Sequence, residues 1–131
     1  MASANVELVR AIYERWERGE STRDLVDDDL EYVNPPYAVE SGIRRGRRAL
    51  AKIREVYPEF HVAAERFIET GDEVIVPSSV AGRSVSGVEV NTRQTYVWTV
   101  RDGRAIRFRW FNELEEALAA VGLSTDEAGG A

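Results

Sequence analysis

The stretch Thr95–Phe111, TYVWTVRDGRAIRFRWF, constrains the fold of this chain more than any other. Two segments of alternating character flank Asp102-Gly103, a dipeptide that accepts the positive φ angles of a tight hairpin. The length of the turn decides which side chains share a face. With Asp102-Gly103 alone as the loop, Tyr96 stands opposite Arg109 and Trp98 opposite Arg107. With Arg101-Asp102-Gly103 as a three-residue loop closed by a glycine bulge, every pair slips by one. Tyr96 then faces Phe108, Trp98 faces Ile106, and Arg93, Arg107 and Arg109 gather on the other side. A one-residue slip turns every side chain of a strand to the opposite face. Segregation of the apolar from the charged residues favours the longer turn.

At 131 residues the chain is the size of one domain. Residues 1–123 read as that domain and 124–131, small and polar, as a flexible tail. A net charge of −6 argues against unspecific binding to nucleic acid or to an anionic membrane. No apolar run approaches the roughly 18 residues of a membrane span, and the first residues lack the pattern of a signal peptide. The chain has no cysteine, which excludes disulfide and thiol chemistry and suits a cytoplasmic location. Its single histidine, His61, excludes a histidine-cluster metal site. There is no glycine-rich phosphate loop and no nucleophile elbow, so neither cofactor nor metal is expected.

Periodicity divides the chain in two. Residues 5–18 predict a helix capped by Asn5 and stopped by Gly19, with Leu8, Val9, Ile12, Tyr13 and Trp16 on one broad face. Residues 21–27 predict a short second helix capped by Ser21. Residues 30–34 predict a strand that Pro35-Pro36 ends, 37–45 a loop, and 47–57 an amphipathic helix stopped before Pro58. From Phe60 the period becomes two, with strands over 60–69, 73–82, 86–100 and 104–111. A helix over 113–121 closes the order. Leading helices followed by an antiparallel meander make an α+β pattern. A sheet with strands this long must twist and curl, and the early helices are the cover for its concave side.

The residues carrying a family resemblance are the opening VELVRAIYERWERG, the strand and loop EYVNPPYAVESG, the helix GRRALAKIREVYPEF and the end YVWTVRDGRAIRFRWFNELEEALAAVGL. Together, over about residues 5–123, they resemble the nuclear transport factor 2-like superfamily and its SnoaL-like, polyketide cyclase-like branch. The resemblance implies a cone of N-terminal helices packed on a curled antiparallel sheet, with a pocket between them. It leaves the activity open, because the fold hosts isomerases, cyclases, hydrolases, dehydratases and non-catalytic binders.

Tyr32 and Asn34 match the Y-x-N spacing with which limonene epoxide hydrolases hold their attacking water. Where those enzymes place a basic aspartate, two residues before a phenylalanine, this chain has Arg109 before Phe111. A guanidinium cannot accept a proton from water. No R-x-D pair occurs in Val76 to Gly82. Ketosteroid isomerases carry a carboxylate before a proline at the end of the first strand; here Asn34 precedes Pro35. The late-strand aspartate of the cyclases has no counterpart in Arg107 to Asn112.

These comparisons leave a pocket for a small, mostly apolar molecule that can carry an anionic group. Tyr32 and Asn34 alternate in phase and point one way. Arg93, Arg107, Arg109 and Phe111 would share the inward face under the resemblance, the arginines either capturing an anion or pairing with protein acids such as Glu14, Glu17 or Glu65. Tyr13 and Trp16 would line the cavity from the first helix. Tyr96, Trp98, Phe108 and Trp110 would lie on the opposite face, too apolar for water, and would make a homodimer interface through the sheet. An enzyme using an acid elsewhere, Glu40 or Glu65, and a dimeric interaction module without a ligand are the alternatives.

Overall fold

The computed structural model describes residues 3–38, 42–46 and 59–124. Helix α1 (Ala4–Arg18) starts at Ser3, whose hydroxyl accepts from the backbone N–H of Val6 at 3.1 Å. Ser3 therefore caps the helix, not Asn5. The helix ends at Gly19, whose φ of 68° lets its N–H return to the Trp16 carbonyl. Its buried stripe is Val6, Val9, Ile12 and Tyr13.

Residues 21–27 do not form the expected helix. They make a turn that passes into strand β1 (Val26–Asn34). So short a segment gains little from helix formation, and its groups are engaged otherwise: Arg15 clamps Asp24, and the Leu25 carbonyl accepts from Ala105 N–H. The expected loop over 37–45 contains strand β2 (Gly42–Arg45), antiparallel to β1. The helix expected over 47–57 lies outside the described residues, as do Glu40 and residues 125–131.

The remaining strands are β3 (Glu59–Ala64), β4 (Ile68–Thr70), β5 (Glu73–Arg83), β6 (Glu89–Arg101) and β7 (Arg104–Phe111). A single strand over 60–69 is broken because β3 and β4 both pair with β5, on either side of Pro77. Proline has no N–H to offer a ladder, and the Pro77 carbonyl instead takes Glu65 N–H in the gap. The sheet order is β2-β1-β7-β6-β5-β3, with β4 beside β5. β1 and β7 run parallel, so the sheet is mixed, not purely antiparallel. Helix α2 (Leu114–Ala120) follows β7.

The hairpin follows neither register that the sequence suggests. Asp102 and Gly103 have φ of 52° and 76°, the two left-handed residues of a two-residue turn. Arg101 pairs with Arg104 and Val100 with Ala105. The ladder then shifts, so that Thr99 meets Arg107, Trp98 meets Phe108, Val97 meets Arg109 and Tyr96 meets Trp110. The extra residue, Ile106, is a bulge on β7. The two-residue turn is right at the tip, and the bulge restores the segregation of aromatics from arginines.

Which face is inward is the opposite of the expectation. The side of the sheet carrying Tyr96, Trp98 and Phe108 lies beneath α1, packed with Val9, Ile12, Tyr13, Leu30, Val74 and Val76. Trp98 is 0% exposed, Phe108 3% and Tyr96 4%. Trp110 and Tyr32 pack against the same cluster. Of the four large apolar groups assigned to a second subunit, Tyr96, Trp98 and Phe108 are buried within the chain, and Trp110 is half-buried. The other face carries α2, where Ala117 and Leu118 close over Ile68, Ile75 and Val97 with Phe111 at the margin.

Candidate functional site

Cross-strand register lays the inner face out in rows. Arg44 on β2 pairs with Tyr32 on β1, Tyr32 with Phe108 on β7, Phe108 with Trp98 on β6, and Trp98 with Val74 on β5. In the next row Gly42 pairs with Asn34, and Trp110 with Tyr96 and Val76 behind it. The two rows are tied at Asn34, whose Oδ1 accepts from Trp110 Nε1 at 2.9 Å. A third row places Gln94 beside Ser78 and Ala64.

The rings interlock. Phe108 sits with its centroid 5.0 Å from Tyr32, 5.0 Å from Tyr96 and 4.7 Å from Trp98, tilted or edge-on as ring quadrupoles prefer. Tyr13 and Trp16 reach down from α1 onto Trp98. Trp98 Nε1 donates to the Tyr13 hydroxyl at 3.1 Å, and the Tyr96 hydroxyl donates to Gln94 Oε1 at 3.0 Å. Trp98 and Tyr96 are covered, whereas Tyr32, Asn34, Gln94 and Trp110 are only half-buried. Among the described residues these four, with Trp16, Phe60 and Phe67, leave part of their surface accessible beside the cluster.

Burial raises the phenol pKa of all three inner tyrosines. For Tyr13 the hydrogen bonds with Trp98 and Ser78 oppose the rise. For Tyr96 the neighbouring Tyr13 and Tyr32 add to it. For Tyr32 the positive charge of Arg44 works against it. All three are neutral near pH 7 and can give or take a hydrogen bond. The inner-face rows from Arg44 to Ser78 contain hydroxyls, amides and indoles but no carboxylate. They can hold a molecule; they supply no carboxylate base.

Of the residues the sequence nominates as ligand contacts, Tyr13, Trp16, Tyr32 and Asn34 come together on the inner face. Arg93, Arg107, Arg109 and Phe111 lie on the outer one. Arg107 donates to Glu31 at 3.1 Å, with Arg45 on the other carboxylate oxygen. Arg109 is paired with Glu73, which also accepts from Thr99. Arg93 is paired with Glu65, which accepts from Ser79 as well. The arginines therefore face protein acids, and Glu65 stands on their side of the sheet. Arg93 does line a cavity of about 240 Å³ beside Arg66, Pro77, Thr95 and the Asn112–Leu114 connection, where both signs of charge meet.

The sequence reading missed Arg44, which it placed in the loop over 37–45, and Gln94 and Trp110 as wall residues. The parity of β1 held the signal: Leu30, Tyr32 and Asn34 alternate in step, and Leu30 is fully buried. Among the described residues no group of three His, Cys, Asp or Glu is placed to hold a metal. No described helix is long and apolar enough to cross a membrane.

The fold has many counterparts among solved structures. A nuclear transport factor 2-like protein of unknown function from Burkholderia pseudomallei is 25% identical, with a TM-score of 0.71 over 92% of this chain and 99% of that one. TerC, co-crystallised with polyporic acid, is 25% identical, with a TM-score of 0.70 over 92% and 98%. A protein assigned as a SnoaL-like polyketide cyclase from Jannaschia sp. CCS1 is 21% identical, with a TM-score of 0.69 over 90% and 91%. No curated protein sequence matches the chain. Residues 9–108 match the SnoaL-like domain, so the chain belongs to the SnoaL-like domain family, with the nuclear transport factor 2-like fold.

Proposed function

We propose that this domain binds a small, mostly apolar molecule with a planar ring over the inner face, between Tyr32, Asn34, Phe108 and Trp110. The observation that carries this is the half-covered aromatic surface next to fully covered rings. Tyr32 and Trp110 offer half-buried ring surface and the Tyr32 hydroxyl a directed polar contact, while the Asn34 amide is held between Trp110 and the Gly42 carbonyl. Such a surface gains from excluding water over a flat apolar ligand. The crystal of TerC with polyporic acid supports a ring-bearing ligand as the class to try first. Binding without turnover suits rows that hold no carboxylate.

A homodimer through the sheet fits the outer face better, because Tyr96, Trp98 and Phe108 are buried within the chain. The outer surface beyond α2 offers Ile43, exposed at 56%, and the Arg45–Glu31–Arg107 group. A cysteine-free chain suits a cytoplasmic setting.

Tryptophan fluorescence tests the ligand proposal. Methyl 2-naphthoate and polyporic acid are titrated into the protein and into Tyr32→Ala and Arg107→Ala variants. Saturable quenching that weakens at least tenfold in Tyr32→Ala and stays unchanged in Arg107→Ala is expected. Equal weakening in both variants, or no saturable change with either compound, overturns it.

A further inference from the structure

We infer that the free edge of β6, Glu89–Gln94, is a self-association site: it pairs antiparallel with the same edge of a second copy of this chain, about a two-fold axis at Asn91. This surface is separate from the inner and outer faces of the sheet, and its pairing needs no bound ligand.

The edge exists because the strands end at different places. β5 and β6 form a ladder that runs without a shift from Glu73–Thr99 to Arg83–Glu89. β7 accompanies β6 only as far as Thr95, opposite Phe111. β3 covers the far side of β5 from Ser78 to Arg83. Among the described residues no strand pairs with Glu89–Gln94 on the side away from β5, which leaves roughly 20 Å of strand edge with backbone N–H and C=O groups turned outward. Proline, a bulge or a charge on the core side would blunt such an edge. The segment EVNTRQ has none of them: Val90, Thr92 and Gln94 share the side of Tyr96 and Trp98. Its two charges, Glu89 and Arg93, are opposite in sign and stand together on the outer side. Glu89, Asn91, Thr92 and Arg93 are exposed.

Length and charge select the same occupant. A two-fold axis perpendicular to the sheet keeps each face continuous, so only residues of equal parity meet. Centred on Asn91, the pairing sets Glu89 against Arg93 of the other copy at both ends, Val90 against Thr92, and Val88 against Gln94. It fills the free edge and stops where Phe111 takes over at Thr95. An axis at Thr92 would need Thr95 for Glu89, and an axis at Val90 loses the charge match. Opposite charges across an antiparallel pair are favourable and like charges are not. Glu89 and Arg93 already touch Arg83 and Glu65 of their own chain, in exposed contacts that leave room for a second partner. The hairpin tip fits the same arrangement. Val85 and Val88 are exposed at 75% and 60%, and Val88 of the other copy arrives opposite Gln94, which lines the cavity of about 240 Å³ with Thr95 and Asn112–Leu114. Pairing occupies both free edges, so the assembly closes as a dimer with one continuous sheet, β3-β5-β6-β6-β5-β3 at its centre.

Sedimentation equilibrium of the full chain tests this, with Glu89→Arg and Arg93→Glu made separately. An edge-to-edge contact is small for a stable interface, so a dissociation constant of about 10–100 µM is expected. In each variant like charges face each other at both ends, and dimerisation weakens by about tenfold or more. Mixing the two variants sets cation against anion at both ends and restores the dimer. Urea midpoints confirm that the variants fold. In the unaltered protein, amides within Glu89–Gln94 should gain protection from hydrogen exchange as its concentration rises, a readout that needs no variant. A dimer that both variants keep lies on another surface, such as the outer face, and overturns the inference. So does a mixture that associates no more tightly than either variant alone. A monomer up to about 1 mM overturns self-pairing and leaves the edge to an extended segment of a different protein.

Discussion

Removing one oxygen from Tyr13 tests the orientation of the sheet. Trp98 is completely buried, and its indole N–H donates to the Tyr13 hydroxyl at 3.1 Å. Tyr13 is itself 6% exposed and packed on α1 above the strands. In Tyr13→Phe the indole donor stays buried without an acceptor, and the ring keeps its shape. A buried donor left unpaired costs roughly 1–3 kcal/mol; the bond to Ser78 goes too, so about 2 kcal/mol is a fair centre. At an m-value of about 1.5 kcal/mol/M the urea midpoint falls by about 1.3 M. Arg107→Ala, which breaks the exposed contact with Glu31, costs under about 1 kcal/mol. Equilibrium unfolding followed by tryptophan fluorescence and far-UV circular dichroism measures both. If the aromatic side faced outward, Tyr13→Phe would be near neutral. A midpoint shift below about 0.3 M for Tyr13→Phe, or one no larger than that of Arg107→Ala, refutes the assignment of the inner face.

Three further outcomes follow from the same structure. Phe108→Ala, which empties the centre of the ring cluster, should cost about 3–5 kcal/mol, read as the loss of most of the unfolding free energy in urea. Gly82→Ala should destabilise by about 1–3 kcal/mol, because its Cβ would stand 2.6 Å from the Glu59 carbonyl oxygen; protection of the β3 amides in hydrogen exchange should fall with it. Stability should decline above pH 10. Burial raises the folded-state pKa of Tyr13, Tyr32 and Tyr96 above the ordinary 10.0, so the unfolded chain loses those protons first. The stability is whole below pH 10 and is lost as the pH rises toward the folded values. Urea midpoints at pH 8, 9.5 and 11 check this, and a midpoint rising with pH would contradict it.

Much of the architecture was legible in the residues. The stripe of α1, the strands around Asp102-Gly103 and the α+β order follow from spacing and turn chemistry. The errors share a cause: they lie where a partner distant in sequence decides. The turn at Asp24 is held by Arg15, and β2 exists because the Pro35-Pro36 turn returns the chain to β1. The bulge at Ile106 decides which residues face each other, and no local pattern around Arg104–Phe108 announces it. Parity told correctly that Tyr32 and Asn34 share a face, and that arginines and aromatics separate. It could not say which of the two faces α1 would choose. That choice follows from Trp98, Phe108 and Tyr96, whose apolar surface gains far more from burial than the arginines would. Arg45, Arg93, Arg107 and Arg109 then stand against glutamates on the outer side.

The most direct measurement is a crystal structure of the protein with bound 2-naphthoate. The account predicts ring density over Tyr32, Phe108 and Trp110 on the inner face. Density on the outer face against Arg107 or Arg109, with the inner face unoccupied, would contradict it.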